Sequence, residues 1–404
     1  MQNDRILTQA VHAGNNHLAA GGHQKVDGHP IAPSIDPAVT YTYDDMADLS
    51  GALHDGVGYS YMRYGSPTVA ALESAVAELE GAAEAVAYAT GMAALHAAFV
   101  QANISAARPL IAAQNVYGAT FSLLRKMFVP GESIHFVEIT DRAVVQAAIE
   151  RFKPHAIFLE SISNPLLKIP HLPSIAEAAH AVGASVIVDA TFATPYVMQP
   201  ITYGADVVVH SATKYLGGHG DVMGGLIATD ATRATELRLQ LRLYGGNLGP
   251  FEAWLILRGV RTLALRMREQ CANAHRVAQW LSEQDSIAKV IYPGLPDHPD
   301  HATARELFRE DCFGGMVAFE LRDADEARVF RFMEALKLIQ CATSLGDVYS
   351  LLLYPAQSSH HALGREERLR QGIGDGLVRL SCGIESADDI VADLAQALDV
   401  VRNA

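Results

Sequence analysis

The sequence predicts an α/β protein with a mostly parallel central sheet covered by helices and a smaller C-terminal α/β domain. Short apolar runs (PLIAAQ, SIHFVEI, AIFLES, ASVIVDA, DVVVHSA, GGLIAT) alternate with helical segments between residues 109 and 229. Strands that alternate with helices pair in parallel and bury both faces of their sheet. The chain has 404 residues, 50% of them hydrophobic, which is ample for one large domain and a smaller one. Around Pro250 the pattern changes to a long helical stretch, FEAWLILRGVRTLALRMREQCANAHRVAQWLSEQ, followed by shorter mixed elements.

Residues 1–65 mix Gly, His, Pro and Asp with few periodic segments, so they predict an extended arm that needs another surface to lie on. TVAALESAVAEL, from Thr68 to Leu79, has apolar residues at helical spacing. AEAVAYATGMAALHAAF then turns from a short strand into a helix through Thr90-Gly91-Met92. The helical runs ATFSLLRKMF, RAVVQAAIERF and LPSIAEAAHAVG separate the strands that follow. The predicted organisation is an arm over 1–65, a ligand-binding sheet domain over 66–261 and a C-terminal domain over 262–404. No internal repeat or low-complexity tract is evident.

A net charge of −14 without a long basic run argues against a nucleic-acid partner and fits a solvated acidic surface. Cys271, Cys312, Cys341 and Cys382 have no CxxC spacing and read as reduced thiols of a cytosolic protein. MQNDRILTQAVHAG has no signal-peptide core, and charges interrupt the alanine-rich helices too often for a bilayer span, so a cytoplasmic protein with no membrane partner is expected. HPDH at 298–301 and the pair His360-His361 lack the second cluster that a zinc site requires; they read as loop histidines, and no metal is expected.

In a parallel sheet the ligand lies beyond the carboxyl ends of the strands, so the residues just after each apolar run should carry the chemistry. Those positions hold Thr90-Gly91-Met92 at a helix start, Tyr117-Gly118, Asn164-Pro165, Asp189 and Ser211-Ala-Thr213-Lys214, with Arg379 in the short strand GLVRLSCG. Taken singly, Tyr117 could be a packing aromatic, Asn164-Pro165 a turn, Asp189 a helix cap, Arg379 an ion-pair partner and Lys214 a snorkelling lysine. Together they meet the needs of one cofactor type. An aldehyde carrying a pyridine ring and a phosphate requires an amine for a Schiff base, a carboxylate for the ring nitrogen, a flat aromatic to stack, and phosphate donors. Lys214, Asp189, Tyr117, and the Gly91 and Met92 amides with the Ser211 and Thr213 hydroxyls supply all four.

Over nearly its whole length the chain resembles the Cys/Met-metabolism enzymes that use pyridoxal 5′-phosphate. The resemblance is concentrated in Asp189-Ala-Thr-Phe-Ala-Thr-Pro195 and in GADVVVHSATKYLGGHG, residues 204–220, which places Lys214 25 residues after Asp189. It implies the fold type I, aspartate aminotransferase-like architecture and a γ-elimination or γ-replacement on a small amino acid. It further implies Lys214 as the Schiff-base lysine and proton carrier, Asp189 as partner of the ring nitrogen and Tyr117 as the stacking, proton-exchanging residue. Gly91, Met92, Ser211 and Thr213 match phosphate ligands, and Asn164, Ser344 and Arg379 match groups around the substrate carboxylate. Tyr61 and Arg63, in YSYMRYGSPT, match a pair that reaches the phosphate of a neighbouring subunit, which implies an active dimer and a homotetramer built from two of them.

The chain departs from each subgroup of that family. Ala119 stands where methionine γ-lyases carry cysteine, and Leu241-Arg242 where they carry Lys-Asp. Thr343 replaces the glutamate that often precedes the matching serine in cystathionine-handling enzymes. The expected reaction is γ-elimination from methionine or homocysteine, with γ-replacement on an O-activated homoserine or cystathionine γ-lysis as alternatives. A dinucleotide-dependent dehydrogenase would need a GxGxxG after the first strand, which is missing. The joint retention of Lys214, Asp189, Tyr117 and Arg379 argues against a non-catalytic cofactor-binding protein.

Overall fold

The computed structural model describes residues 5–14, 31–128, 133–361 and 363–402. Aliphatic runs of four or five residues form the first sheet: β1 (Glu84–Tyr88), β2 (Leu110–Ala113), β3 (Ile134–Val137), β4 (Ala156–Glu160), β5 (Ser185–Asp189), β6 (Val207–Ser211) and β7 (Gly225–Thr229). Their order across the sheet is β1-β7-β6-β5-β4-β2-β3. Strands β2 to β6 run parallel, and β7 is antiparallel to both its neighbours. The sequence pattern alone leaves GGLIAT in the parallel series. Its reversal follows from the connection before it, residues 212–224, which contains no helix to carry the chain back along the sheet.

The helices between these strands start where the sequence offers caps. Thr90 accepts from the Ala93 amide, Asp141 from Ala143 and Val144, and Asp230 from Arg233, each satisfying N–H groups that the first turn leaves open. Their apolar faces close over both sides of the sheet. Phe158 on β4 is fully buried there, with its ring 5.0 Å from that of Phe99.

A second, smaller sheet contains β8 (Ile287–Ile291), β9 (Met316–Leu321), β10 (Gln340–Cys341), β11 (Leu351–Leu353) and β12 (Leu377–Ser381), in the order β10-β11-β12-β9-β8. It is antiparallel apart from the β10/β11 pair. Its own core forms around Phe319, Phe332 and Leu394, the last on the helix Ala387–Arg402.

Two expectations need correction. Part of the segment read as an extended arm is helical, at Arg5–His12 and Met46–His54, while residues 1–4 and 15–30 of it lie outside the described residues. RILTQAVH places Ile6 and Ala10 four apart on one face, and both are buried where the first helix packs on helices Pro67–Glu80 and Leu263–Ser282. The long helical stretch after Pro250 is also two helices, Pro250–Val260 and Leu263–Ser282. The break lies where the first of them presses on the loop after β6: a Cβ added to Gly259 would stand 2.2 Å from the Gly217 carbonyl oxygen. Thr262 Oγ1 and Arg266 Nη2 both donate to the Gly259 carbonyl and close the end of that helix.

All four cysteines are free thiols, and no helix among the described residues is long and apolar enough to cross a membrane. Phe158→Ala should lower unfolding stability by about 3–5 kcal/mol, the usual cost of emptying a buried aromatic site. Chemical denaturation checks this, and a loss below about 1 kcal/mol would show that the β4 face repacks freely.

Candidate active site

Parallel register brings the carboxyl ends of β4, β5 and β6 to one edge, with Glu160 directly beside Asp189 across the β4/β5 pair. Lys214 follows β6 in a tight turn in which its amide donates to the Ser211 carbonyl and its own carbonyl accepts from Gly218. Arg266 pins this turn from outside, donating from Nη1 to the Tyr215 carbonyl at 2.8 Å. The Lys214 ammonium donates to Ser344 Oγ at 3.0 Å. Burial lowers the Lys214 pKa and the charge of Arg379 lowers it further, against the opposing pull of Asp347. A lysine so placed gives up its proton more readily than a surface lysine, which suits it to nucleophilic and proton-transfer work.

Asp189 is held through one oxygen only. Its Oδ1 accepts from the Thr191 amide at 2.9 Å and the Thr191 hydroxyl at 2.5 Å, while Oδ2 accepts from none of the described residues. Thr191 Oγ1 also receives the Ser211 amide, tying the end of β5 to the end of β6. Glu160 is satisfied on both sides: Oε1 accepts from the Tyr117 amide at 2.6 Å and Oε2 from the Asn164 amide at 3.0 Å. Burial raises both carboxyls, and the neighbouring Asp189 charge raises Glu160 further, to about 8. Two adjacent buried carboxyls favour either a held proton or a cation opposite them.

Arg379, on β12, reaches across from the second sheet. Its Nη1 donates to Asn164 Oδ1 at 2.9 Å and its Nη2 to the Ser344 carbonyl at 3.2 Å, and Nε is buried with no partner. Burial pulls its pKa down to about 10, which still leaves the guanidinium charged at neutral pH. No carboxylate among the described residues pairs with it within ion-pair range. A buried cation with neutral partners and a free N–H is a receptor for an anion, and the planar fork suits a carboxylate. His360, buried beside it, contacts the Asn164 backbone and is kept neutral by burial, which lowers its pKa to about 4.

A further anion position lies at the start of helix Gly91–Gln101. Thr90 caps the Ala93 amide, and the Gly91 and Met92 amides have no acceptor among the described residues. Ser211 closes against them so tightly that a Cβ on Gly91 would lie 2.7 Å from Ser211 Cβ, so a side chain there would fill the cradle. Thr213 Oγ1 receives the Gly224 amide at 3.1 Å and so faces the same edge. Tyr117 has its amide held by Glu160 and remains 40% exposed. A buried lysine, a half-satisfied carboxylate, an open aromatic and a helix-end cradle fit a phosphorylated pyridine aldehyde in donor chemistry. Lys214 would bind its carbon, Asp189 Oδ2 its ring nitrogen, and the Gly91 and Met92 amides its phosphate.

Tyr61 and Arg63 are not brought into this group. Arg63 lies over the Tyr61 and Tyr64 rings and donates to the Arg242 carbonyl, and Arg242 covers the other approach to Tyr64. No sequence motif marks Glu160 or Asp347 for the site, and His360, expected as a loop histidine, is buried beside Arg379. Glu160 was within reach of the rule that singled out Asp189, since each is the last residue of a parallel strand. Asp347 is buried with Oδ1 unpartnered, and no local pattern marks it.

Residues 8–399 match the family model described as Cys/Met metabolism PLP-dependent enzyme. A cystathionine beta-lyase of Lactococcus lactis subsp. cremoris is 43% identical over 84% of this chain and 88% of its own. An L-methionine gamma-lyase of Fusobacterium nucleatum subsp. polymorphum is 38% identical over 98% of each. The solved structure of a cystathionine gamma synthase from Xanthomonas oryzae pv. oryzae, in complex with cystathionine, superposes with a TM-score of 0.88 at 36% identity, covering 98% of both chains.

The raised Glu160 carboxyl has a consequence for stability. With no cofactor bound, the folded protein keeps a proton that the unfolded chain has released. The resulting stabilisation is complete below the ordinary glutamate range and is lost as pH rises through about 8. From about pH 5 to about pH 9, the melting temperature of the cofactor-free wild type should therefore fall more than that of Glu160→Gln, which has no carboxyl to titrate. Parallel pH profiles in calorimetry would contradict the shift.

Proposed function

The chain belongs to the Cys/Met metabolism PLP-dependent enzyme family, and we propose that it catalyses γ-elimination on a compact sulphur amino acid, L-methionine or L-homocysteine, releasing a 2-oxo acid, ammonia and a thiol. When bound, pyridoxal 5′-phosphate supplies the electron sink that makes the Cα–H acidic. Arg379 and Asn164 grip the α-carboxylate, and the burial of Arg379 without a carboxylate partner supports that role. Lys214 Nζ takes the Cα proton; Ser344 Oγ, 3.0 Å from it, keeps the amine aimed at the substrate position. Asp189 holds the ring-nitrogen proton through the oxygen that Thr191 leaves open. Tyr117, exposed over the site, exchanges the proton that lets the γ-sulphur leave.

The observation that carries the choice of substrate is Thr343. It is exposed beside Ser344 and brings no charge. A long substrate with a distal ammonium is favoured by a carboxylate partner, which adds up to about 1 kcal/mol at an exposed position, and Thr343 offers none. Arg242, which packs on Tyr64 beside Arg63, supplies no negative charge either. A second proposed reading, γ-replacement on an O-activated homoserine, is favoured by the superposition on a cystathionine gamma synthase over nearly the whole chain. The separate placement of Tyr61 and Arg63 supports their serving a neighbouring subunit's phosphate, in a homotetramer built from two active dimers.

Lys214→Ala should abolish 2-oxo acid release and leave the far-UV circular dichroism unchanged, since little core volume is lost. The wild type should be yellow, bleach on borohydride reduction and carry the label on Lys214. Near-wild-type turnover in the Ala variant would overturn the assignment. For substrate choice, kcat/KM for methionine or homocysteine should exceed that for cystathionine, and Thr343→Glu should raise the cystathionine value. A wild-type preference for cystathionine of about tenfold, equal to about 1.4 kcal/mol of transition-state binding, would remove the basis of this choice. A new thioether formed from an activated homoserine and a thiol, in place of 2-oxo acid, would establish replacement.

A further inference from the structure

Glu160 contacts two separate loops of the site at once. Its oxygens accept from the Tyr117 amide, in the turn after β2, and the Asn164 amide, in the turn after β4. The side chains of those two residues have different tasks: Tyr117 lies open over the site, and Asn164 receives Arg379. The register of β4 and β5 adds a third connection by setting Glu160 beside Asp189. Glu160 is only 5% exposed, and its hydrogen bonds go to backbone amides of those two residues, not to their side chains.

We propose that Glu160 is a positioning residue: its one carboxyl group locks the stacking tyrosine to the asparagine that orients the carboxylate-gripping arginine, and it stands directly beside Asp189 at the end of the neighbouring strand. Cofactor orientation and substrate-carboxylate recognition are thereby coupled through a group that contacts neither. The isosteric amide cannot do the same. Both partners of Glu160 are N–H donors, so in Glu160→Gln the carboxamide oxygen accepts one of them while its NH2 opposes the other, leaving a buried donor unpaired. One of the two turns is then released.

The inference rests on the assignment of the site above, and the test separates the two. The holoenzyme of Glu160→Gln is compared with wild type in the visible circular dichroism of the bound cofactor and in kcat and KM for methionine. The expected result is a changed visible dichroism together with a ten- to hundredfold fall in kcat/KM, the range expected when one buried hydrogen bond is unmade. A variant with wild-type dichroism, kcat and KM overturns the proposal while borohydride labelling of Lys214 still upholds the site; failure of that labelling in wild type overturns the site itself. Should Glu160→Gln not fold, amide hydrogen exchange of the wild-type holoenzyme decides. Slow exchange at both Tyr117 and Asn164 is expected, and fast exchange at either sinks the clamp.

Discussion

The hydrogen bond from Arg379 to Asn164, 2.9 Å long between residues 215 positions apart, joins the two sheets at a single site. Arg379 belongs to a strand of the second sheet, Asn164 to a turn of the first, and neither has a function alone. Folding the second sheet onto the first buries a guanidinium that no carboxylate among the described residues neutralises, which is costly unless an anion arrives. The site is therefore built around a buried positive charge that an anion can complete. Ser344, bonded to both Arg379 and Lys214, passes this constraint to the Lys214 amine.

Burial tunes two basic and two acidic groups along that edge, with consequences that depend on the group's sign. It lowers Lys214 and Arg379 and raises Asp189 and Glu160. One low-dielectric environment thus favours an amine that yields its proton easily and carboxyls that retain theirs until a cation faces them. Asp189 and Glu160 are held in different ways. Asp189 keeps one oxygen open, whereas Glu160 uses both to fix backbone, so of two adjacent acids one faces the ligand and the other holds the frame.

Such precision requires rigid turns, and the core beneath the site supplies them. The turn carrying Lys214 is gripped by Arg266, itself buried and bonded to the Tyr215 and Gly259 carbonyls. Helix Pro250–Val260 approaches that turn closely enough that only glycine fits at position 259. The break in the long helix and the placement of Lys214 are thus one packing event, since the helix ends where it meets the lysine's turn.

The sequence by itself determined the elements and the candidate chemistry. Apolar runs bounded by turn residues located the strands, helical periodicity located the helices, and the strand-end rule put Lys214, Asp189, Asn164 and the Thr90-Gly91-Met92 turn on one edge, because a parallel sheet presents all its carboxyl ends to one side. These signals are local and survive in a linear string. Only the tertiary structure decided what depends on distance across the fold. It reversed β7, whose connection contains no helix to cross over, and made Arg5–His12 a packed helix where composition suggested an arm. It separated Tyr61 and Arg63 from the Lys214 group, brought in Glu160 and Asp347, which no motif marks, and buried His360, which the sequence offered only as a loop histidine. Their environments come from strand register and from the closing of one sheet on the other, and neither is written in any window of the chain short enough to read as a pattern.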